Sequence, residues 1–308
     1  MFCSPKICAG TIKITKTGEL KYMLKKFICC KKGFIGCSDS YKDSKVVIIG
    51  APMDLTVSFR PGARMGPSKI REVSYGLEEF SMYSMDSLNN KSYYDAGDLE
   101  LPLGNVIESM KTIKEASNCI LENGKIPFFI GGEHLISLPV IEAVSQKYKD
   151  LVVIHFDAHA DLRKDFMGEK YSHATVMRRV AELIGGKNIY QFGIRSSTED
   201  ELHYARENTN FYPFSFMGHI KEVFKELKQK PIYVSLDIDV VDPAYAPGTG
   251  TPEPGGCTAA EILEVTLLLG DLNIVGMDLV EVSPMFDLSE RTSLLAAKVI
   301  REMLIRMG

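Results

Sequence analysis

The stretch VVIHFDAHADLR, Val152 to Arg163, begins as a β-branched and aromatic run and then sets Asp157, His159 and Asp161 at alternate positions. An extended chain turns alternate side chains to one side, so these three face a common space. Unpaired charge in an apolar core is costly or shifts its own pKa, and an ion pair or a bound metal relieves it. Three further clusters have the same character. His134 follows IPFFI within GGEH, Asp237 and Asp239 follow YVSL within DIDVVDP, and Glu281 follows GMDLV. His134, Asp157, His159, Asp161, Asp237 and Asp239 together offer four carboxylates and two imidazoles, a set that two divalent cations would balance. Oxygen and imidazole donors without a thiolate favour a hard or borderline ion such as manganese over a structural zinc. Two such ions about 3.5–4 Å apart can share a bridging hydroxide, held as a nucleophile near neutral pH.

Each cluster alone has a plainer reading. An Asp-x-Asp commonly ends a strand, a lone histidine at a helix start bonds locally, and Gly131–Gly132 asks only for a tight turn with close backbone approach. Position decides between the readings. The apolar runs VVIIGA (46–51), IPFFI (126–130), LVVIHFD (151–157), NIYQFGI (188–194), PIYVSLD (231–237) and NIVGMDLV (273–280) read as strands. Helical spacing follows Pro67 through KIREVSYGLEEF, and runs from Asn105 to Gly124, from about Glu133, and from near Ser172. Further helical patterns lie near 198–206 and 217–229, from Thr258, and over 289–306. Asn105 with Glu108, and Thr258 with Glu261, have the form of helix-capping boxes. Strand–helix alternation predicts an α/β fold with a mainly parallel sheet covered on both faces. Such sheets bind ligands beyond the carboxyl ends of their strands, and all four clusters fall at such ends. His155 is assigned to packing or to support of the ligands, His203 and His219 to helix surfaces, Asp242 to a turn, and Asp98 to structure.

The chain has 308 residues with 45% hydrophobic and 25% charged content, ordinary for a globular protein. No apolar run reaches the ~18 residues that span a bilayer, and the start, MFCSPKICAGTIK, has no continuous apolar core of a secretory signal. The expectation is a cytoplasmic protein with no membrane partner. Net charge is −4, divided as +7 over the first 45 residues and −11 over the rest. The basic arm contains ten lysines but no arginine and no nucleic-acid module, so no nucleic-acid partner is expected. Of seven cysteines, Cys3, Cys8, Cys29, Cys30 and Cys37 crowd into this arm without a CxxC pair, which reads as reduced thiols rather than a zinc knuckle. The expected organisation is a loosely attached basic, Cys-rich arm over 1–45 and one catalytic domain over 46–308.

GGEH (131–134), DAHAD (157–161), SLDIDVVDPAYAPGTGTPEPGG (235–256) and GMDLVEVSP (276–284) resemble the signature blocks of the ureohydrolase family, the arginases and agmatinases. The likeness runs from about Val46 to the C-terminus. It implies a three-layer α/β/α fold, two Mn²⁺ per chain, and hydrolysis of a small guanidino substrate by attack of a metal-bridging hydroxide. It also implies a homo-oligomer, trimeric or hexameric. Residue by residue, His134, Asp157, His159, Asp161, Asp237 and Asp239 match the family's six metal ligands. His173 matches its proton-shuttle histidine, Glu281 the carboxylate that pairs with the guanidinium, and Asp161 a ligand that also orients the hydroxide. After DAHAD, the segment LRKDFMGEKYSH lacks the Asn-containing loop of arginases, while FRPGARMGPSKIR and EVSPMFDLSERTSLLAAKVIREML look like the agmatinase branch. Agmatine, cleaved to putrescine and urea in polyamine biosynthesis, is the expected substrate. Guanidinobutyrate, arginine and formiminoglutamate, or a non-catalytic metal-binding role on the same fold, are the alternatives. Asp165 or Glu169 is the candidate partner for a substrate ammonium, and Lys164 or Lys170 for a carboxylate.

Overall fold

The computed structural model describes residues 28–29 and 33–308. Its main sheet has nine strands: β1 (Ile28–Cys29), β2 (Val46–Ala51), β3 (Tyr93–Leu99), β4 (Ile126–Gly131), β5 (Val152–Phe156), β6 (Ile189–Phe192), β7 (Asn210–Tyr212), β8 (Ile232–Asp237) and β9 (Ile274–Val280). The spatial order is β1-β3-β2-β4-β9-β8-β5-β6-β7, and every pairing except β1 with β3 is parallel. Helices α1 (Gly66–Ser74), α2 (Val106–Glu122), α3 (Ser137–Lys147), α4 (Val176–Ile184), α5 (Glu199–Asn208), α6 (Met217–Leu227), α7 (Ala259–Leu269) and α8 (Arg291–Met307) surround it.

The strands are apolar on both faces because each face is covered. Ile48, Phe128, Ile154, Val234 and Ile274 pack with residues of α6, α7 and α8. Their sequence neighbours Val47, Phe129, Val153, Tyr233 and Val275 pack on the opposite face with residues of α2, α3 and α4. This is the period-two alternation of a sheet buried between two helical layers, the three-layer α/β/α architecture. Fully burying each large aliphatic side chain contributes about 1.5–3 kcal/mol.

The helix signals act as their chemistry requires. Pro67 sits in the first turn of α1, where its missing N–H has no partner to lose. Asn105 accepts from Glu108 N at the start of α2, and Thr258 and Glu261 form a reciprocal capping box on α7. Helix α1 stops at Ser74, short of the expected KIREVSYGLEEF span, and Phe80–Ser81 instead pairs antiparallel with Asp86–Ser87.

Two features depart from the expected organisation. Strand β3, YYDAGDL, was not among the expected strands, because it carries two aspartates and a glycine. Both acids are neutralised from α1: Arg71 donates to Asp95 at 2.7 and 2.9 Å and pairs with Asp98, all three side chains being buried. Replacing Arg71 by Met should strand two buried carboxylates and reduce stability by about 3–5 kcal/mol. A denaturant midpoint within error of the parent would refute that. The other departure concerns the arm. Phe34 and Ile35 are buried in the core, Phe34 N donates to Asp95 Oδ2 at 2.7 Å, and β1 extends the sheet edge, so this part of 1–45 is packed against the domain rather than loosely attached. Two aromatic and aliphatic residues in a Lys-rich context were the signal for it. Cys3, Cys8 and Cys30 lie outside the described residues. Cys37 is partly buried, and burial beside Asp95 and Asp39 raises its thiol pKa, which disfavours the reactive thiolate.

Candidate metal centre

Strands β4, β9, β8 and β5 are consecutive in the sheet, and their register aligns their carboxyl ends: Ile130 pairs with Leu279, Val280 with Asp237, and Leu236 with Phe156. The residues that follow each strand therefore emerge side by side. Gly132 makes the first exit feasible, since a Cβ there would lie 1.9 Å from the Met53 carbonyl oxygen. The chain then turns into a short 3₁₀ segment at His134–Ile136 ahead of α3. At the other exits Asp161 and Glu281 adopt left-handed φ values of 53° and 64°. A non-glycine residue held so costs about 1–3 kcal/mol, strain that recurs where a side chain must be aimed.

All six residues named from sequence converge. His134 Nδ1 lies 3.0 Å from Asp157 Oδ2, 3.1 Å from Asp161 Oδ2 and 3.4 Å from Asp237 Oδ2. His159 Nδ1 lies 3.0 Å from Asp239 Oδ2 and 3.5 Å from Asp157 Oδ1. Asp157 thus faces both imidazoles with different oxygens, and it belongs to both groups of residues whose ligand atoms come close enough to share an ion. The aspartates are further oriented by the backbone: His159 N donates to Asp157 Oδ1, Ala158 N to Asp239 Oδ1, and Asp239 N to Asp237 Oδ1.

The electrostatics require positive charge. Burial alone would push the His134 imidazole down, yet Asp157, Asp161 and Asp237 override it and hold its pKa well above the ordinary value. His159 is driven by Asp239 and Asp157, against burial, up to about 12. Burial, then Asp239 and Asp157, raises Asp237 well above the carboxylate range. Shifts of this kind mark a cluster of carboxylates that favours bound positive charge. The fit of a divalent pair is also stereochemical. His134 Nδ1 is buried without an aligned hydrogen-bond partner while three carboxylate oxygens surround it. Its other nitrogen, Nε2, lies 2.9 Å from Ser235 Oγ, which donates to Asp278 Oδ1 at 2.8 Å. Ser235 has spent its only proton on Asp278, so it accepts from Nε2–H, and in the neutral ring the lone pair is left on Nδ1, the form a metal needs.

A cavity of about 300 Å³ opens over the cluster, lined by His134, His159, Asp161, Asp237, His173 and Glu281 together with residues from the surrounding loops. Glu281 is buried; its N donates to Gly132 O and its Oε1 accepts from His134 N at 2.8 Å. Burial pushes its carboxyl up to about 8, so a cationic guest would be needed to hold it ionised. His173 begins a 3₁₀ turn capped by Ser172; Thr56 Oγ1 accepts from its N–H at 3.0 Å, and its ring stands edge-on to Phe166. Burial lowers its pKa, leaving the imidazole neutral and able to accept a proton.

The remaining sequence expectations divide. His203 and His219 are exposed, Asp242 accepts from Ala244, Gly255 and Gly256 as a turn former, and Asp98 holds Arg71. Asp165, Glu169, Lys164 and Lys170 are exposed and do not line the cavity. Reciprocal Phe166–Glu169 backbone bonds, with Met167 and Gly168 at positive φ, form a tight turn that carries them outward. Arg163 and Phe166 line the cavity in their place: Arg163 Cζ lies 5.0 Å from the Phe166 ring centre and its Nε 3.5 Å from Glu201 Oε2. These two were missed, although Arg163 lies only two residues past the motif. Thr198 and Glu201 carried a legible signal as a capping box on α5.

The fold and the cluster define the class, an α/β/α protein whose strand ends gather carboxylates and imidazoles for a pair of divalent cations. The chain belongs to the arginase family, whose sequence model matches residues 44–305. It is 50% identical over 277 residues to an agmatinase of Bacillus anthracis, covering 89% of this chain and 96% of that one. It is 41% identical over 269 residues to the mitochondrial guanidino acid hydrolase of Homo sapiens, covering 83% and 76%. The crystal structure of the agmatine ureohydrolase of Thermoplasma volcanium superposes with a TM-score of 0.81 at 33% identity, covering 93% and 97%.

Proposed function

We propose that this protein is a dinuclear manganese ureohydrolase that converts agmatine and water to putrescine and urea. The observation that carries the reading is the bare His134 Nδ1 among three carboxylate oxygens, with Asp157 shared toward His159. His134, Asp161 and Asp237 would hold one ion, His159 and Asp239 the other, with Asp157 between them. When bound, such a pair supplies a water-derived nucleophile near neutral pH. Asp161 accepts a hydrogen bond from the attacking water and orients it. Glu281 grips the guanidinium by charge-assisted hydrogen bonds and aims its carbon at the nucleophile. His173, neutral at rest, would take up the proton released by the attacking water and pass it to the departing amine, without which the C–N bond would release a poor leaving group.

The agmatine assignment draws on the branch-like segments at 59–71 and 281–304 and on the 50% identity to the Bacillus anthracis agmatinase. One observation favours a second reading, a guanidino acid: Arg163, a cation, lines the cavity, and a substrate carboxylate would pair with it. Urea release after manganese loading, run in parallel on agmatine, arginine and 4-guanidinobutyrate, separates the two. Agmatine is expected to lead in kcat/KM by about tenfold or more, the scale on which one end group is discriminated. A lead for 4-guanidinobutyrate would transfer the assignment to a guanidino acid, and no urea from any of them would support a non-catalytic role. The same reading has a cytoplasmic homo-oligomer, trimeric or hexameric, with no nucleic-acid or membrane partner. Among the described residues no helix is long and apolar enough to cross a membrane.

A further inference from the structure

His155 has no part in the reaction, yet it is fully buried behind Asp157 with Nε2 2.8 Å from Asp157 Oδ2. Which of its nitrogens carries the proton can be deduced from its neighbours. The β5–β6 register pairs His155 with Gln191, also fully buried. The Gln191 side-chain nitrogen lies 2.9 Å from the Ala160 carbonyl oxygen and 3.1 Å from His155 Nδ1. A carbonyl only accepts, so that end of the amide must be the NH₂ group. An NH₂ group cannot accept, so Nδ1 must present its lone pair to it. The ring proton is left on Nε2, where it is donated to Asp157.

Asp157 therefore receives one donor on each oxygen: the His159 backbone N–H on Oδ1 at 2.6 Å and His155 Nε2–H on Oδ2. Two donors, one from β5 and one from the loop just after it, fix the rotation of the carboxylate. Its remaining lone pairs are the ones that face His134 and His159. We infer that His155 and Gln191 are positioning residues for the metal centre: Gln191 sets the tautomer of His155, and His155 holds Asp157 in the orientation that serves both cations. The inference rests on the reading of Asp157 as the shared ligand. A buried pair serving packing alone would act on folding and leave cation affinity untouched.

The test is calorimetric titration of Mn²⁺ into the metal-stripped full chain, with circular dichroism to verify folding. His155→Phe keeps a ring and removes both nitrogens. Gln191→Met keeps length, removes the amide, and frees His155 to take the wrong tautomer; it is the milder change should His155→Phe not fold. Each is expected to weaken Mn²⁺ binding by on the order of 10–100-fold, the usual effect of losing a hydrogen-bonding partner behind a ligand. His155→Gln, whose amide nitrogen falls near the position of Nε2, should recover most of that loss. Unchanged affinity in a folded Gln191→Met protein would overturn the inference, as would a loss in His155→Phe that His155→Gln does not restore. Asp157→Asn is the control for the underlying reading. If it too binds two Mn²⁺ normally, the ligand assignment fails; if it loses Mn²⁺ while the His155 and Gln191 variants do not, only the positioning role fails.

Discussion

Asp239→Asn should remain folded yet hold its cations weakly and lose more than about 100-fold in kcat/KM, because even residues standing behind a metal ligand are worth 10–100-fold. The amide is nearly isosteric and can keep the bond that Asp239 Oδ1 accepts from Ala158 N. What it loses is the charge on the Oδ2 side, which faces His159 Nδ1 at 3.0 Å. Asp239 and Asp157 raise the His159 pKa to about 12 against burial, so the carboxylate charge dominates the field at this imidazole. A neutral amide presents an NH₂ or a weak oxygen there, and neither replaces a carboxylate for a divalent ion. Metal analysis of the dialysed protein alongside urea release checks this. Full turnover with the parental metal content would remove Asp239 from the centre.

Glu281→Gln should separate substrate binding from metal binding. The variant is expected to keep both cations, since Glu281 is not among the six side chains that converge on one another and its Oε1 is engaged by His134 N. Its kcat/KM should nevertheless drop steeply. Truncating one partner of a buried charge pair costs about 2–5 kcal/mol, roughly 30- to several thousand-fold at 1.4 kcal/mol per decade. The amide would turn donors toward a guanidinium that has only donors to offer. Parental kinetics, or a variant that has lost its metals, would each contradict this assignment of Glu281.

The site was legible in the sequence because parallel strands end together. His134, Asp157, Asp237 and Glu281 each follow an apolar run, and strand register alone brings those ends to one level. Strand β3 was not legible, since the charge of its Asp95 and Asp98 is met by Arg71, a partner more than twenty residues away. Likewise, nothing in LRKDFMGEK reveals that a tight turn at Met167–Gly168 carries Asp165 and Glu169 away from the cavity and leaves Arg163 and Phe166 at its rim. Tautomers are the finest level of this information. Gln191 and His155 meet through strand register at a sequence distance of 36 residues, and neither residue type announces the other.

The most direct measurement is the number of Mn²⁺ ions bound per chain as the metal-stripped protein is titrated, with urea release from agmatine followed at each addition. Saturation at two ions, with most turnover returning only as the second is taken up, is the expected result. Saturation below two at abundant manganese, or full turnover with a single ion, would mean that the strand ends do not hold a pair.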